Sequence, residues 1–164
     1  MPYGCIFILI AGLDEMLWTA AYEGDAAGVR EWLEAGADPN APDPMDGWTA
    51  MHHAAYGGGS VEVLEALHGV GAEVDTLDEN GLTPLMYAAA HGATGAVLSW
   101  LLEQGADWRL QATLGDYAGL TTLGIAKQEG EAEAASVLAA WVSEHGSAEE
   151  AAAAAAVVQE LLTS

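Results

Sequence analysis

Two unrelated short segments recur along this chain in one common step. That restricts it to a row of like units, because a unit of this size cannot bury its apolar face alone. Thr49-Ala50-Met51-His52-His53-Ala54-Ala55-Tyr56 aligns with Thr83-Pro84-Leu85-Met86-Tyr87-Ala88-Ala89-Ala90 at an offset of 34 residues, and a weaker copy, Thr121 to Lys127, follows after 38. Upstream, Leu17 to Gly24 carries the same pair of small residues before a glycine. The second segment keeps step: Trp32 to Asp38, Leu67 to Glu73 and Leu101 to Asp107 each end in Gly-Ala followed by an acid.

Each unit reads as helix, turn, helix and loop. Thr83-Pro84 supplies an N-cap hydroxyl and a proline in the first helical turn. Ala20-Ala21, Ala54-Ala55 and Ala88-Ala89 keep one face of the first helix thin, so that neighbouring units approach closely. Gly24, Gly58 and Gly92 are placed to end that helix, and Gly36, Gly71 and Gly105 to end the second. The second helix is amphipathic, with Val29, Trp32 and Leu33, or Val97, Leu98, Leu101 and Leu102, at helical spacing. The links 39–47 and 74–81 are rich in Asp, Asn, Pro and Gly, and Asp46-Gly47 and Asn80-Gly81 are tight-turn pairs.

Thr83 to Ala89, Gly105-Ala106-Asp107, and Thr49 to Gly58 with its His52 resemble the hallmark segments of the ankyrin repeat family, over about residues 13–146. The resemblance implies an all-α ankyrin-repeat solenoid of stacked helix-turn-helix units with β-turn fingers. It divides the chain into an apolar N-terminal segment (1–12), an array (13–146, in units 13–47, 48–81, 82–119 and 120–146) and a C-terminal Ala-rich helical extension (147–164). It also implies a structural His52 bonded to a neighbouring loop and a surface His53, and puts Asn40 at a finger position that some members present for hydroxylation. The chain departs from the family pattern in lacking a histidine at Met86 and Gly124. About four extra residues around Gln111 to Ala118 predict a larger finger between the third and fourth units.

The ends differ from the middle, as terminal units must. Asp14-Glu15 stands where the first finger opening belongs, ahead of the first helix. Lys127 replaces a small residue, and the helix Glu131 to Ser143 is Ala-rich, as suits a capping unit. Ser147 to Glu150 reads as a capping box for a last helix, expected to pack through Val157, Val158, Leu161 and Leu162 on the fourth unit or on a partner. The β-favouring run Ile6 to Ile10 predicts that residues 1–11 are covered, by the first unit or by a partner subunit. A targeting remnant is the alternative.

Charge removes several function classes. Acidic residues number 25 against 3 basic ones, for a net −22, while 52% of the chain is apolar, which excludes general disorder. Such a charge repels phosphate backbones and anionic headgroups, so no direct nucleic-acid binding is expected. The strongest apolar run, Cys5 to Ala11, is far short of the ~20 residues of a membrane span, and no Lys or Arg precedes it as in a secretory leader. Membrane insertion is therefore not expected. The single Cys5 makes no internal disulfide and suits the cytoplasm or another reducing intracellular compartment.

The reactive side chains form no catalytic, metal or cofactor set. Cys5 has no basic neighbour to lower its pKa and reads as a small buried hydrophobe. His52 and His53 diverge on a helix without a third ligand at metal spacing. His68, His91 and His145 sit near helix ends, where an imidazole meets free carbonyls. Gly57-Gly58-Gly59 lacks the Lys-Ser/Thr of a phosphate loop. The chain reads as a non-enzyme without cofactor.

Ankyrin arrays usually bind through the fingers and the exposed side of each first helix. Trp48, Leu82 and Leu120 follow the finger glycines, and Thr19, His53, Tyr87 and Ile125, then Tyr22, Tyr56, Ala90 and Gln128, occupy the exposed helix columns. Finger tips add Met45, Leu77 and Glu79, and the larger finger adds Trp108, Arg109, Leu114 and Tyr117. Acids stand beside them at Asp43, Asp46, Asp78 and Asp116. The expected protein-binding face is thus Tyr22, Met45, Asp46, Trp48, His53, Tyr56, Leu77, Asp78, Glu79, Leu82, Tyr87, Trp108 and Tyr117. Any one of these also admits a packing role, Trp48 and Leu82 above all. Together they describe apolar anchors with an acidic rim, suited to a protein partner with a basic-apolar surface, and compatible with membership of a larger complex. The alternative is an acidic decoy that imitates nucleic acid and inhibits a basic nucleic-acid-binding protein. That requires carboxylates in rows, whereas Glu31, Glu34, Glu62 and Glu65 fall at ordinary solvated helix positions.

Overall fold

The computed structural model describes residues 3–57 and 60–163, and of residues 3–11 it describes the backbone alone. The expectations for Gly58, for the Cys5 side chain and for what covers residues 1–11 lie outside the described residues. The helices are α1 (Tyr3–Glu23), α2 (Ala26–Ala35), α3 (Ala50–Tyr56), α4 (Val61–His68), α5 (Pro84–Ala90), α6 (Gly95–Glu103), α7 (Thr122–Glu129), α8 (Ala132–His145) and α9 (Ala148–Thr163), with a 3-10 turn at Gly115–Tyr117. They stack in two layers, α1 on α3 on α5 on α7, and α2 on α4 on α6 on α8. The alanines foreseen as spacers, Ala20, Ala21, Ala54, Ala55, Ala88 and Ala89, are all buried between units with Leu17, Leu64, Leu85, Leu98 and Leu101 in one continuous core.

Caps account for where helices start and stop. Thr83 Oγ1 accepts the Met86 N–H at 3.3 Å, with Pro84 in the first turn. Asp25 caps α2 by accepting from Ala27 and Gly28. Gly36, Gly71 and Gly105 follow the second helices at φ 103°, 96° and 95°, a left-handed conformation that glycine reaches without a Cβ penalty. At α3 the cap is a histidine. The Thr49 N–H donates to His52 Nδ1 at 3.1 Å, so Nδ1 is the acceptor and Nε2 carries the proton, which it donates to the Leu82 carbonyl at 3.0 Å. His52 thereby joins its own helix to the chain beyond the next finger, as the resemblance implied. Burial pushes its pKa down from 6.5 to about 4, so the imidazole is neutral.

Side chain to backbone bonds tie α1 to the end of its own unit and stitch successive units. Asp14 Oδ1 accepts the Asp38 N–H at 2.8 Å, Asp75 accepts the Asp107 N–H at 3.0 and 3.1 Å, and Asn40 accepts from Glu73 at 2.9 Å while donating to Gly71 O at 3.0 Å. Both polar ends of the Asn40 amide are therefore engaged. Asp14 and Glu15 are not a finger opening ahead of the first helix: α1 begins at Tyr3 and runs unbroken through them, which places both on its flank.

The extra residues of the third unit form the larger finger. Gln111 bridges Thr121, and the loop between folds back on the second finger, with the Thr113 and Leu114 N–H groups both bonding Asn80 O at 3.0 Å. Gly81, at φ 73°, leaves room for the Thr113 side chain where a Cβ would stand.

At the other end α9 closes the stack. The capping box forms, with the Ser147 N–H on Glu150 Oε2 at 2.7 Å and the Glu150 N–H on Ser147 Oγ at 3.2 Å. Ala154 of the alanine run is fully buried, and Val157, Val158 and Leu161 pack on the core, but Leu162 is 67% exposed and takes no part in the docking. Arg109 bonds Glu150 through Nε at 2.9 Å and Lys127 pairs with Glu160 at 2.8 Å, so two of the chain's three cations are spent on this helix. The Arg109 guanidinium and the Ser147 donors hold the Glu150 carboxyl down at about 2.

The buried neutral His52 makes folding pH-dependent. The unfolded imidazole takes up a proton near 6.5 and the folded one near 4, so its contribution is intact above 6.5 and lost as pH falls through that interval, by about 3 kcal/mol in all. His52→Gln should lower the urea midpoint at pH 7, and the gap between variant and wild type should narrow steadily from pH 7 to pH 4.

Candidate functional site

The exposed side of α1 and the first finger enclose a groove of about 840 Å³. Glu15, Trp18, Thr19 and Tyr22 lie at i, i+3, i+4 and i+7 on α1, so one helix face supplies one wall. Pro42, Pro44, Met45 and Asp46 supply the other, and Trp48 and His53 with Asp43 close the base. Trp18 is held in place by its indole N–H, which donates to Ala41 O at 3.2 Å.

Asp43 builds the finger. Its Oδ1 accepts the N–H groups of Met45, Asp46 and Gly47 at 3.1, 2.9 and 3.2 Å, and its Oδ2 accepts from His53 Nε2 at 3.0 Å. Partial burial raises its pKa, but the backbone donors at Asp46 and Met45 and the His53 contact outweigh that and hold the carboxyl below its usual value. Burial lowers the pKa of His53 against the pull of Asp43, so the pair at pH 7 is a neutral imidazole on a carboxylate. The second finger repeats the device with other residues. Asp78 Oδ1 accepts from Asn80 and Leu82 at 2.9 and 2.7 Å, and Oδ2 accepts the Tyr87 hydroxyl at 2.7 Å. Burial and that bond push the Tyr87 phenol above its usual range.

An aromatic cluster runs from the groove along the first-helix layer. Trp18 stacks on His53 at 6.2 Å, Trp48 meets His53 at 5.2 Å, Tyr56 at 5.1 Å and Tyr87 at 4.4 Å, and Tyr56 continues to His91 at 4.4 Å and to Tyr22 at 6.1 Å. Centroids at these distances are in the range where ring pairs attract. His91, which caps α5, thus meets rings as well as a helix end.

The thirteen residues expected on the binding face divide into distinct groups. Tyr22, Met45, Asp46, Trp48 and His53 line the groove, with Met45 81% exposed and Tyr22 47%. His53 is half-buried and bonded, not a free surface residue. Tyr56 is half-buried within the aromatic cluster. Leu77 and Glu79 project from the second finger, outside the groove. Asp78, Leu82 and Tyr87 are interior and offer a partner no surface, because the larger finger roofs them with Leu110, Ala112, Tyr117 and Leu120. Tyr117 belongs to that roof, and Trp108 packs on the main core beneath the Arg109 guanidinium, 4.1 Å from its ring centroid. Trp18, Glu15 and Asp14 line the groove without having been expected there. Their signal was present in the i, i+3, i+7 spacing of Glu15, Trp18 and Tyr22, but it depends on α1 starting early.

Among the described residues, no group of three or more His, Cys, Asp or Glu is placed to hold a metal ion, and no helix is long and apolar enough to cross a membrane.

A family model described as ankyrin repeats in three copies matches residues 17–112, more than half of the chain. The chain belongs to the ankyrin repeat family. It is 40% identical over 90 residues to the E3 ubiquitin-protein ligase KEG of Arabidopsis thaliana and 37% identical over 75 residues to the 2-5A-dependent ribonuclease of Mus musculus. These matches cover 55% and 46% of this chain but 5% and 10% of those proteins. A putative ankyrin repeat protein of Rickettsia bellii is 28% identical over 145 residues, covering 75% of this chain and 61% of that protein. Ankyrin repeats generally mediate protein–protein interaction and are typically non-catalytic.

The finger tethers give a stability prediction. Tyr87→Phe leaves a buried Asp78 oxygen without its donor and should cost about 1–3 kcal/mol in urea unfolding. Tyr22→Phe, at an exposed ring whose hydroxyl bonds nothing among the described residues, should stay within about 0.5 kcal/mol of wild type.

Proposed function

We propose that this ankyrin array is a non-catalytic protein-interaction module, working as an assembly subunit, whose finger and first-helix face takes a basic-apolar surface or segment of a protein partner. The observation that carries this reading is the groove. There the exposed Tyr22 and Met45 stand beside Asp46 and Glu15, and none of the chain's three cations lines the site. Apolar and aromatic anchors supply affinity, and the acids steer a basic partner in and keep acidic ones out. In this reading residues 13–146 are the working array and residues 147–164 seal its last unit. A chain with one cysteine suits the cytoplasm or another reducing compartment.

The test is capture from native lysate on the immobilised chain. Tyr22→Ala combined with Met45→Ala should reduce recovery of the specific partner at least about tenfold, since paired anchor losses of this kind each cost about 1–2 kcal/mol. Unchanged recovery would overturn the reading. Raising salt from about 50 to 500 mM should weaken capture modestly, whereas a collapse of several orders of magnitude is the signature of a nucleic-acid mimic held by charge alone.

A further inference from the structure

We infer that the groove between α1 and the first finger reads one arginine in an extended segment of the partner, its guanidinium lying against the aromatic lining and bonding Glu15 and Asp46. This rests on the protein-binding reading above and names the chemistry of its central contact.

The carboxylates of the groove are not equivalent. Asp43 is saturated, with both oxygens bonded, and Asp14 is tied to the Asp38 N–H. The carboxylates of Glu15 and Asp46 accept no hydrogen bond and pair with no cation among the described residues, and both are exposed on opposite walls of the same groove. The rings of Trp18 and Tyr22 share the α1 wall with Glu15, and Trp48 closes the base of the same groove. A cation on an apolar stem satisfies both features at once, since its stem and charged face lie on the rings while its donors reach the acids.

The molecule already contains this arrangement once. Arg109 lies 4.1 Å over the Trp108 ring and sends Nε and Nη2 to the two oxygens of Glu150 at 2.9 and 3.3 Å. The groove offers the same ring and carboxylate chemistry without an arginine of its own. A planar guanidinium stacks on a ring and forks toward two acceptors, whereas a lysine ammonium is a compact, strongly hydrated point charge that does neither as well. At about 840 Å³ the groove exceeds one side chain, so the neighbours of that arginine also enter, and Met45 favours an apolar one.

Random dodecapeptides displayed on phage are selected against the immobilised full chain, and an enriched peptide is synthesised and titrated by fluorescence anisotropy. Enriched sequences should share one arginine beside an apolar residue. Replacing that arginine by its neutral isostere citrulline should weaken binding about 30-fold or more, and by lysine about fivefold. Glu15→Gln and Asp46→Asn should each weaken it about tenfold, while Glu103→Gln at the end of α6 changes it less than about twofold. Enriched peptides without a shared arginine, indifference to Glu15→Gln and Asp46→Asn, or no enrichment at all would each overturn the inference. If affinity responds to Leu77→Ala or Glu79→Gln instead, the arginine pocket fails while the face-level reading stands. Lysate capture decides that reading separately.

Discussion

One aspartate in each of the first two fingers ties the loop to the helix that follows it, and the concave side of the molecule depends on that tie. Asp43 and Asp78 each gather the backbone N–H groups of their turn on one oxygen and take a side chain of the next helix, His53 or Tyr87, on the other. A carboxylate accepting several backbone donors is a strong, directional anchor. It fixes the angle at which the finger leaves the helix layer. Without it Pro42, Pro44 and Met45 would have no reason to stand opposite Trp18 and Tyr22, and there would be no groove. His52 performs the complementary task between units by reaching Leu82 O across the stack.

The same bonds account for part of the net charge of −22. Many of its acids are at work in the fold: Asp25 caps a helix, Asp14 ties α1 to the end of its own unit, Asp75 stitches two units, Asp43 and Asp78 shape fingers, and Glu150 and Glu160 take up two of the three cations. Of the acids whose carboxylates bond nothing among the described residues, Glu15 and Asp46 line the groove that also holds the exposed Tyr22 and Met45. The proposed selectivity rests on this coincidence of uncompensated charge with apolar area.

The repeat, the helix pairs, the Thr83 cap, the structural His52 and the capping box at Ser147 were legible in the sequence, because each depends on local chemistry within a few residues or on a period visible along the chain. The site was legible only in part. Leu82, Asp78 and Tyr87 share sequence columns with open-face residues of other units, yet they are buried. The extra residues near Gln111 predicted a larger finger but not the direction it takes, and by folding onto Asn80 it roofs the third unit and leaves the first open. At α1, Asp14-Glu15 reads locally as a helix opening, whereas the helix begins at Tyr3 and so carries Glu15, Trp18 and Tyr22 on one face. Leu162 illustrates a smaller limit: with Val157, Val158 and Leu161 it gives one more apolar residue than the helix can turn inward.

The central claim is that recognition occurs on the open finger and first-helix face of the first two units. Hydrogen–deuterium exchange on the chain with and without its co-purifying protein partner tests it most directly. The account predicts new protection in residues 42–48 and in the 15–22 stretch of α1, with α4, α6 and α8 unchanged. Protection confined to the α2, α4, α6 and α8 layer, or to α9, would contradict it.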